Sequence, residues 1–351
     1  MEILNAVREN LSRLLKEGQL NPYDDEIKNN ETLSVEEAFK FALSQKAKTL
    51  AETSFGNYKN RIKNFEKYLL QNGFKNRFIT SVTKKDVNKY LNDVLQKTSA
   101  SNRNNSRTDI SSLFTTLSNE DIIPVNFIHK IPVLKSNPEK NTAFNQEEVK
   151  AIFEKAKKED VWLYYFISHI YYGLFRNVEI VRIQIADINI KEKKIKSNTK
   201  TGNFYKQIPQ ILIDEFYTNL DLSKYPKDYF LFTKDNEPSQ WLTRPNKETG
   251  KRSITEEINR RGYWGKRFNK IIKEPMGFAK DYTSYSFRHS AIGKMFIEKV
   301  KELRKEGTPD FEDKALDFIR KITAHKDNDT VRNYLREIGY YKIDDWSNLL
   351  K

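Results

Sequence analysis

Apolar residues recur at helical spacing through residues 34–127, and few helix breakers interrupt them. The clearest stretch is 53–73, where the apolar positions repeat every three or four residues along one helix face. These positions are Phe55, Tyr58, Ile62, Phe65 and Leu69. Ser34 with Glu37 three residues later forms a capping-box signature, and Thr83 begins a further helix. The pattern predicts an all-helical module with four helices over 34–127.

Shorter segments flank this module. Residues 1–33 combine a helical apolar stripe at 3–18 with a polar loop, and two heptads are too few for a stable coiled coil. We therefore expect a helix that docks on the protein itself or on a neighbour. Residues 128–144 contain Pro132, Pro138 and several lysines, which predicts an extended interdomain linker.

From residue 145 onward the pattern mixes helices and strands. Residues 161–175 are apolar nearly all round, which predicts a buried helix. Three β-prone segments follow, and the last two flank the turn NTKTGN, which predicts a hairpin. These segments are 181–190, 193–197 and 204–209. Helical patterns return at 209–219, 261–273, 284–299, 311–324 and 329–338. Together they predict a mixed α+β domain over 145–338.

The composition favours a nucleic-acid partner and excludes several kinds of site. The chain has 351 residues and carries 62 Lys and Arg against 48 Asp and Glu, a net charge of +14. Such an excess favours a polyanion, because each neutralised phosphate releases counterions. The lack of cysteine excludes a disulfide framework, a Cys-based zinc site and a thiol nucleophile, and the four histidines are too scattered to indicate a metal site.

The same sequence indicates where the protein works. No apolar run reaches the ~18 residues of a membrane span. The first residues lack the apolar centre of a signal peptide, because charged residues interrupt them. We expect a cytoplasmic protein, in the nucleoid or the host cytoplasm, with no membrane partner and no cofactor.

Several polar residues of the second half stand in patterns that suit phosphate chemistry. Arg176 and Glu179 are three residues apart, a spacing that places them on one helix face, where a carboxylate can orient a guanidinium. Lys200 lies in the predicted hairpin turn, and a lysine there can act as a general acid. Taken singly, such residues usually form surface ion pairs or solvated charges.

A second group lies nearer the C-terminal end. Tyr285, Arg288 and His289 fall on one helix face. His325 ends a predicted helix, and Tyr334 follows it by nine residues. A tyrosine in such a place is most often a packing residue. A functional interpretation therefore depends on the order of all these residues along the chain.

Taken in order, the segments GLFRNVEI, TKTG, SYSFRHS and HKDNDTVRNY resemble the active-site motifs of the tyrosine recombinase, or phage integrase, family. The resemblance covers roughly residues 34–338. It implies a mainly α fold with a small β-sheet, in which an all-helical, SAM-like core-binding domain (34–127) precedes an α+β catalytic domain (145–338). It also implies a C-terminal tail, 339–351, that packs either in cis or on the adjacent protomer.

The resemblance assigns roles to the motif residues one position at a time. Arg176 and Arg288 would bind the scissile phosphate, and His325 would hydrogen-bond to it. Lys200 would protonate the 5′ oxygen, and Tyr334 would be the nucleophile. Two arginine forks and one imidazole can stabilise a pentacoordinate phosphorus without a metal ion.

Three further positions support or qualify this assignment. Glu179 matches the acidic residue that supports the first arginine, and His289 matches a position of structural support. Tyr285 stands where the family usually has a histidine, so an imidazole is lost. A tyrosine hydroxyl can still donate a hydrogen bond to a phosphate.

The resemblance implies a site-specific recombinase or integrase of a phage or other mobile element. It would cleave and rejoin double-stranded DNA through a 3′-phosphotyrosyl intermediate, without metal or ATP. A tetramer on DNA is expected, and the resemblance leaves open whether accessory DNA-bending proteins are partners. One alternative is a topoisomerase IB-like or hairpin-resolving strand transferase, which uses the same chemistry. Another is a non-catalytic DNA-binding protein with the same fold, which Tyr285 favours.

Basic residues outside the motifs are candidates for contact with DNA phosphates and grooves. In the first domain these are Lys59, Arg61, Lys63, Arg103 and Arg107. In the second domain the basic stretch 251–270 is either a DNA contact or a solvated helix face. Its candidates are Arg260, Arg261, Lys266 and Arg267.

Overall fold

The computed structural model describes residues 8–9, 12–13, 33–136, 141–199, 202–246 and 249–335. The chain divides between residues 138 and 139 into two compact units. Three sequence predictions lie wholly or mostly outside the described residues: the docking helix at 3–18, the hairpin lysine Lys200 and the tail at 339–351.

The first unit is helical, as its apolar pattern predicts. Its helices are α1 (Val35–Thr49), α2 (Glu52–Leu69), α3 (Lys84–Lys97) and α4 (Ala100–Asn119). Shorter helical turns follow at Leu70–Phe74, Ile79–Ser81 and Phe127–Lys130. Ser34 and Glu37 exchange backbone and side-chain hydrogen bonds at the start of α1, which satisfies N–H groups that would otherwise lack partners. The apolar stripe of α2 lies in the core, where Ile62, Phe65 and Leu69 are fully buried.

Two arginines of α4 hold the chain that follows the helical module. Arg103 donates from Nη1 to the carbonyl of Pro132 at 2.6 Å, and Arg107 donates from Nε to the carbonyl of Ile131 at 2.6 Å. Charge-assisted hydrogen bonds of this kind are among the stronger ones in proteins. Residues 128–132 are therefore attached to α4, whereas the prolines predicted that an extended linker would begin there.

The second unit combines helices with a small antiparallel sheet. Its helices are α5 (Gln146–Glu159), α6 (Val161–Tyr171), α7 (Asn177–Ile180), α8 (Gln210–Glu215), α9 (Glu257–Phe268), α10 (Ser286–Lys305), α11 (Phe311–Thr323) and α12 (Asn328–Leu335). The strands are β1 (Ile188–Asn189), β2 (Lys194–Thr199) and β3 (Gly202–Gln207), in the order β1-β2-β3. Lys194 pairs with Gln207 and Ser197 with Phe204, so β2 and β3 form the predicted hairpin. No helix among the described residues has the length and apolar character that a membrane span needs.

The strand predicted at 181–190 is much shorter in the structure, because only its end belongs to the sheet. The backbone before β1 turns through Ile185–Asp187. Ile185 donates its N–H to Tyr229, and Ile183 accepts from the N–H of Leu231. These alternating isoleucines are buried against a neighbouring loop rather than along a strand ladder, and both environments select the same apolar residues.

Helix α6 is buried, as its continuous apolar sequence predicts. Phe166 stacks on Trp264 of α9 with 4.5 Å between the ring centroids. His169 is also inside, with Nδ1 2.7 Å from the carbonyl of Tyr165 and Nε2 2.9 Å from the hydroxyl of Tyr217. Burial lowers the pKa of His169 to about 4. This imidazole is therefore a neutral part of the core and not a member of the site described next.

Candidate active site

Arg288, His325 and Tyr334 meet at one buried point of the second unit. Arg288 lies in the first turn of α10 and is completely buried. Its Nε is 3.4 Å from the Tyr334 hydroxyl, and its Nη2 is 3.3 Å from His325 Nε2. Its Nη1 is buried and has no hydrogen-bond partner within the described residues. Because an unpartnered buried donor is costly, this guanidinium is suited to receive an oxygen from a ligand.

A tight turn between α11 and α12 explains the spacing of His325 and Tyr334. Helix α11 ends at Thr323, and the next residue, Ala324, adopts the left-handed conformation with φ of 54°. Asp327 then accepts a hydrogen bond from the N–H of Thr330 at 2.7 Å and so caps α12. Tyr334 lies in the last turn of α12, and its ring stacks on the His325 ring with 5.3 Å between centroids. One short helix therefore separates the imidazole from the phenol.

His325 is neutral, and its tautomer follows from its partners. Burial and the nearby Arg288 and Arg176 lower its pKa to about 3. A guanidinium can only donate, so His325 Nε2 must accept from Arg288. We therefore assign the ring proton to Nδ1, which lies 2.8 Å from the Thr323 hydroxyl, and that hydroxyl donates to Ile319 O at 2.7 Å. The resemblance implied a hydrogen bond from His325 to the phosphate, whereas in this arrangement Nε2 accepts from Arg288.

Arg176 and Glu179 are joined by two hydrogen bonds that Arg176 donates to the Glu179 carboxylate, rather than by a shared helix face. Arg176 precedes the one-turn helix α7, and Glu179 is its third residue. Arg176 donates from its backbone N–H to Glu179 Oε2 and from Nη1 to Oε1, each at 2.8 Å. The Arg176 side chain is 31% exposed, so it opens toward solvent. Burial opposes the charge of Arg176, but the hydrogen bond and charge of Glu179, with smaller contributions from Tyr285 and Tyr334, raise its pKa. The carboxylate therefore holds the first arginine at the tyrosine pair.

Lys206 is a member of the site that the motifs did not reveal. It lies on β3 with only 3% of its surface exposed, and its Nζ is 2.8 Å from Glu179 Oε2. Burial, with repulsion from Arg288, lowers the pKa of Lys206 to about 7. One sequence signal was present: apolar Phe204 and Ile208 lie two residues before and two residues after Lys206, a spacing that places all three on the same side of the chain.

Burial alone would raise the pKa of Glu179, which is 3% exposed. The charge of Lys206, its hydrogen bond, the Arg176 backbone N–H and the charge of Arg288 outweigh that cost, and the pKa is lowered to about 2. Glu179 is therefore a carboxylate at any working pH.

Tyr285 contacts the other tyrosine of the site. Its hydroxyl is 2.6 Å from the Tyr334 hydroxyl. Burial raises the pKa of Tyr285, so this phenol is a hydrogen-bond donor and not a base. The sequence assigned Tyr285 to the phosphate, whereas the structure places its hydroxyl on the residue expected to be the nucleophile.

His289 packs against the same tyrosine. Its ring centroid lies 4.6 Å from that of Tyr334, and its Nδ1 is buried without a hydrogen-bond partner among the described residues. Burial and the neighbouring Arg288 lower the pKa of His289 to about 4, so the ring is neutral. The supporting role that the resemblance assigned to His289 stays a prediction.

Gly173 shapes the turn that leads into Arg176, and a glycine is required there for steric reasons. A Cβ on Gly173 would lie 2.6 Å from a Phe175 ring carbon and 2.9 Å from the carbonyl of His169. We expect Gly173→Ala to lower the free energy of unfolding by about 1–3 kcal/mol, because the backbone must shift. Urea unfolding followed by circular dichroism measures the change. Gly262→Ala is the matched control, since its Cβ would meet nothing within 4 Å, and we expect no loss of stability from it. Equal values for the two variants would contradict the steric argument.

Four arginines of the expected set of DNA contacts bind the protein itself through their guanidinium groups. Arg103 is 4% exposed and Arg107 binds backbone carbonyls of its own unit. Arg260 is 6% exposed and donates to the carbonyls of Val181 and Thr255. Arg267 makes two hydrogen bonds with the Asp160 carboxylate. DNA contact by these four residues stays a prediction that their internal partners do not support, because a basic residue on a helix can face inward when carbonyls or carboxylates are there to receive it.

The other basic candidates are accessible. Lys59, Lys63, Arg261 and Lys266 are exposed, and Arg61 is partly exposed beside Asp109 at 2.8 Å. Their contact with DNA stays a prediction. Lys200 lies outside the described residues, so its role also stays a prediction. Among the described residues, no group of three or more His, Asp or Glu side chains forms a metal site.

Comparisons with known proteins identify the fold. No protein-family model and no curated protein matches the sequence. A lambda integrase dimer bound to a COC′ core site is 14% identical with a TM-score of 0.61, over 95% of this chain and 87% of that chain. A lambda integrase tetramer bound to a Holliday junction is 15% identical with a TM-score of 0.61, over 96% of this chain and 87% of that chain. The Tn1549 transposon integrase (residues 82–397) in complex with circular intermediate DNA is 15% identical with a TM-score of 0.58, over 91% of this chain and 99% of that chain.

These similarities show that the chain has the tyrosine recombinase fold. It is mainly helical with a small antiparallel sheet, and it combines a helical unit with a second unit of helices and strands. The fold class predicted from the sequence is therefore confirmed.

Proposed function

We propose that this chain is a site-specific DNA recombinase or integrase that cleaves and rejoins DNA through a 3′-phosphotyrosyl intermediate. The observation that carries the proposal is the meeting of the Tyr334 hydroxyl with the Arg288 guanidinium, at 3.4 Å, beside the neutral imidazole of His325. These side chains come from separate segments of the chain, and none of their contacts is needed to complete a helix. The fold of DNA-bound integrases supports the same conclusion.

The proposed reaction is an in-line displacement at a DNA phosphate. The Tyr334 oxygen attacks phosphorus and forms the phosphotyrosyl bond, while the bond from phosphorus to the 5′ oxygen breaks. The tyrosine loses its proton and the 5′ oxygen gains one, so a free 5′-hydroxyl leaves. The phosphodiester bond energy is kept in the intermediate, and attack by a different 5′-hydroxyl completes strand exchange without ATP.

The charges around Tyr334 suit this reaction. Negative charge develops on the non-bridging oxygens of a pentacoordinate phosphorus, and fixed donors that meet it stabilise the transition state. Arg288 offers its unpartnered Nη1, and Arg176 offers the exposed part of its guanidinium. Both arginines are held before DNA arrives, by buried contacts for Arg288 and by Glu179 for Arg176. Little reorganisation is then required when the phosphate binds.

Proton transfer in the proposed reaction needs an acceptor and a donor. A phenol, with an ordinary pKa of ~10, is a poor nucleophile until its proton leaves. Two neutral imidazoles, His325 and His289, pack against the Tyr334 ring. Tyr285 is a donor and can instead stabilise the developing phenolate through its 2.6 Å hydrogen bond. Lys200 is the proposed proton donor to the 5′ oxygen, on the strength of the sequence motif.

Covalent capture on DNA tests the proposed function directly. The protein is incubated with nicked duplexes whose central sequence is randomised, so that cleavage near the nick releases a short strand and traps the intermediate. We expect denaturation-resistant adducts that share a sequence and contain phosphotyrosine. A complete lack of adducts across the pool would contradict the proposal and favour a non-catalytic DNA-binding protein.

The recovered duplex also separates the enzymatic alternatives. A recombinase joins strands of two different duplexes that carry the selected sequence. A topoisomerase IB-like enzyme relaxes supercoiled plasmid without joining separate duplexes, and a hairpin-resolving enzyme acts on closed ends. Recombinant products are the expected result.

Assembly and origin belong to the same proposal. We propose that the protein acts on double-stranded DNA as a tetramer and that it serves a phage or another mobile element. Support comes from the structural neighbours, which include a lambda integrase tetramer on a Holliday junction and a transposon integrase. The exposed Lys59, Lys63 and Lys266 would contact phosphates, which makes the affinity depend on salt.

A further inference from the structure

Lys206 is a buried lysine in the active site that no motif assigns, and it is a cation below its pKa of about 7. Its side chain is 2% exposed, and its Nζ donates to Glu179 Oε2 at 2.8 Å and to the carbonyl of Leu174 at 2.7 Å. Its Nζ also lies 4.5 Å from the ring centroid of Phe175. An ammonium group has three protons, and the two hydrogen bonds and the ring contact account for all three of them. Lys206 is therefore directed at the protein and not at a substrate.

The Glu179 carboxylate connects Lys206 to Arg176. Its Oε2 receives Lys206 Nζ and the Arg176 backbone N–H, and its Oε1 receives Arg176 Nη1, all at 2.8 Å. The carboxylate can hold this orientation only while it is ionised, because a protonated oxygen no longer accepts in the same way. The three residues thus form a chain of contacts that ends at the guanidinium expected to bind the phosphate.

We propose that Lys206 is a positioning residue for DNA cleavage: it keeps Glu179 ionised and oriented, and Glu179 in turn holds the Arg176 guanidinium at the scissile phosphate. This inference rests on the proposed function. It gives the buried lysine of β3 a role separate from that of Lys200, which is expected to protonate the leaving oxygen.

Removing the ammonium changes how Glu179 titrates. The charged and titratable groups that face Glu179 are Arg176 before α7, Lys206 on β3, Arg288 on α10 and His325 after α11. Lys206 makes the largest favourable contribution among them, and burial opposes it. Without Lys206 the pKa of Glu179 rises, so the carboxyl group takes up a proton as the pH falls. Arg176 then loses a charged partner at low pH.

The test is Lys206→Met on the duplex recovered by covalent capture, with single-turnover cleavage and binding measured separately. We expect cleavage to slow by about 100-fold, because a misplaced arginine costs that much, while affinity for the duplex is retained. We also expect the plot of cleavage rate against pH to gain an acid limb. Below the raised pKa of Glu179, the rate should fall by about tenfold per pH unit. The unsubstituted protein should lack this limb. A lysine that served only stability would not create one.

The double variant Glu179→Gln/Lys206→Met identifies the group that titrates. It should cleave slowly, like Lys206→Met, but without the acid limb, because a glutamine does not ionise. Lys194→Met is the matched control: Lys194 lies on β2, partly exposed, where it pairs with Glu192, and its loss should leave cleavage unchanged. Circular dichroism and duplex binding check that each variant is folded.

A duplex with sulfur in place of the 5′ bridging oxygen separates positioning from acid catalysis. A thiolate leaves without a proton, since a thiol has a pKa of ~8.5. The sulfur should therefore restore cleavage to Lys200→Met and leave Lys206→Met slow. Restoration of Lys206→Met would make Lys206 the acid and overturn the proposal, and so would full activity of Lys206→Met without an acid limb. Failure of the proposed function is distinct, because the unsubstituted protein would then form no adduct.

Discussion

Tyr334→Phe is expected to abolish the covalent protein–DNA adduct while the protein still binds duplex DNA. The substitution removes the one oxygen that would bond to phosphorus, and it keeps the ring that packs against His325 and His289. Loss of a nucleophile should lower the cleavage rate by at least about 10⁴-fold. Denaturing electrophoresis of a labelled suicide duplex measures the adduct, and a mobility shift measures binding. An adduct that persists in Tyr334→Phe would refute the assignment of the nucleophile.

Neighbouring tyrosines supply the controls for this experiment. Tyr340 and Tyr341 lie close to Tyr334 in sequence, outside the described residues. The variants Tyr340→Phe and Tyr341→Phe should still form the adduct. Tyr285→Phe is the more demanding control, because its hydroxyl is 2.6 Å from that of Tyr334. If the adduct survived Tyr334→Phe and disappeared in Tyr285→Phe, the nucleophile would be Tyr285.

Arg288→Ala is expected to slow cleavage by about 10²–10³-fold, with a much smaller effect on duplex affinity. Arg288 is completely buried beside Tyr334, so under the proposed function it would contact one phosphate and not the wider DNA surface. Arg176→Ala should behave in the same way. Single-turnover cleavage gives the rate, and equilibrium binding gives Kd. Equal losses in rate and affinity would mean that these arginines are ordinary phosphate anchors.

Two further variants address folding and specificity in this prediction. Arg288→Lys keeps the buried charge but loses the two-pronged donor, so cleavage should remain impaired in a folded protein. Arg332→Ala is the control for specificity. Arg332 is an exposed arginine two residues before Tyr334, and it pairs with Asp329 and Asp313. Surface pairs of this kind contribute little, so cleavage should be unchanged.

Much of the fold could be predicted because local rules govern it. The apolar stripe at Ile62, Phe65 and Leu69 and the capping box at Ser34 both act within a few residues, and both are found in the structure. The hairpin of β2 and β3 also follows from a local turn. The ordered motifs led to Arg288, His325 and Tyr334, which the structure brings together.

The remaining features depend on contacts between distant segments, which a single sequence does not display. Arg103 looks like any other helix arginine until the carbonyl of Pro132 is found 2.6 Å away. Lys206 looks like an ordinary strand lysine until its partner, Glu179, is located. The Tyr285 hydroxyl reaches Tyr334 from 49 residues away in the chain. Whether a polar side chain faces inward is decided by the partner that tertiary structure brings to it.

The sharing of the Glu179 carboxylate between Arg176 and Lys206 has an evolutionary consequence. Positions 179 and 206 should not change independently, because losing Glu179 removes the carboxylate that pairs with buried Lys206, and losing Lys206 removes the largest favourable charge beside Glu179. Relatives should therefore show paired changes at these two sites. Where position 206 on β3 is apolar, we expect another group to hold the acidic residue at position 179. Such covariation in a future family alignment would distinguish a branch of enzymes that shares this lysine from those that cleave DNA without it.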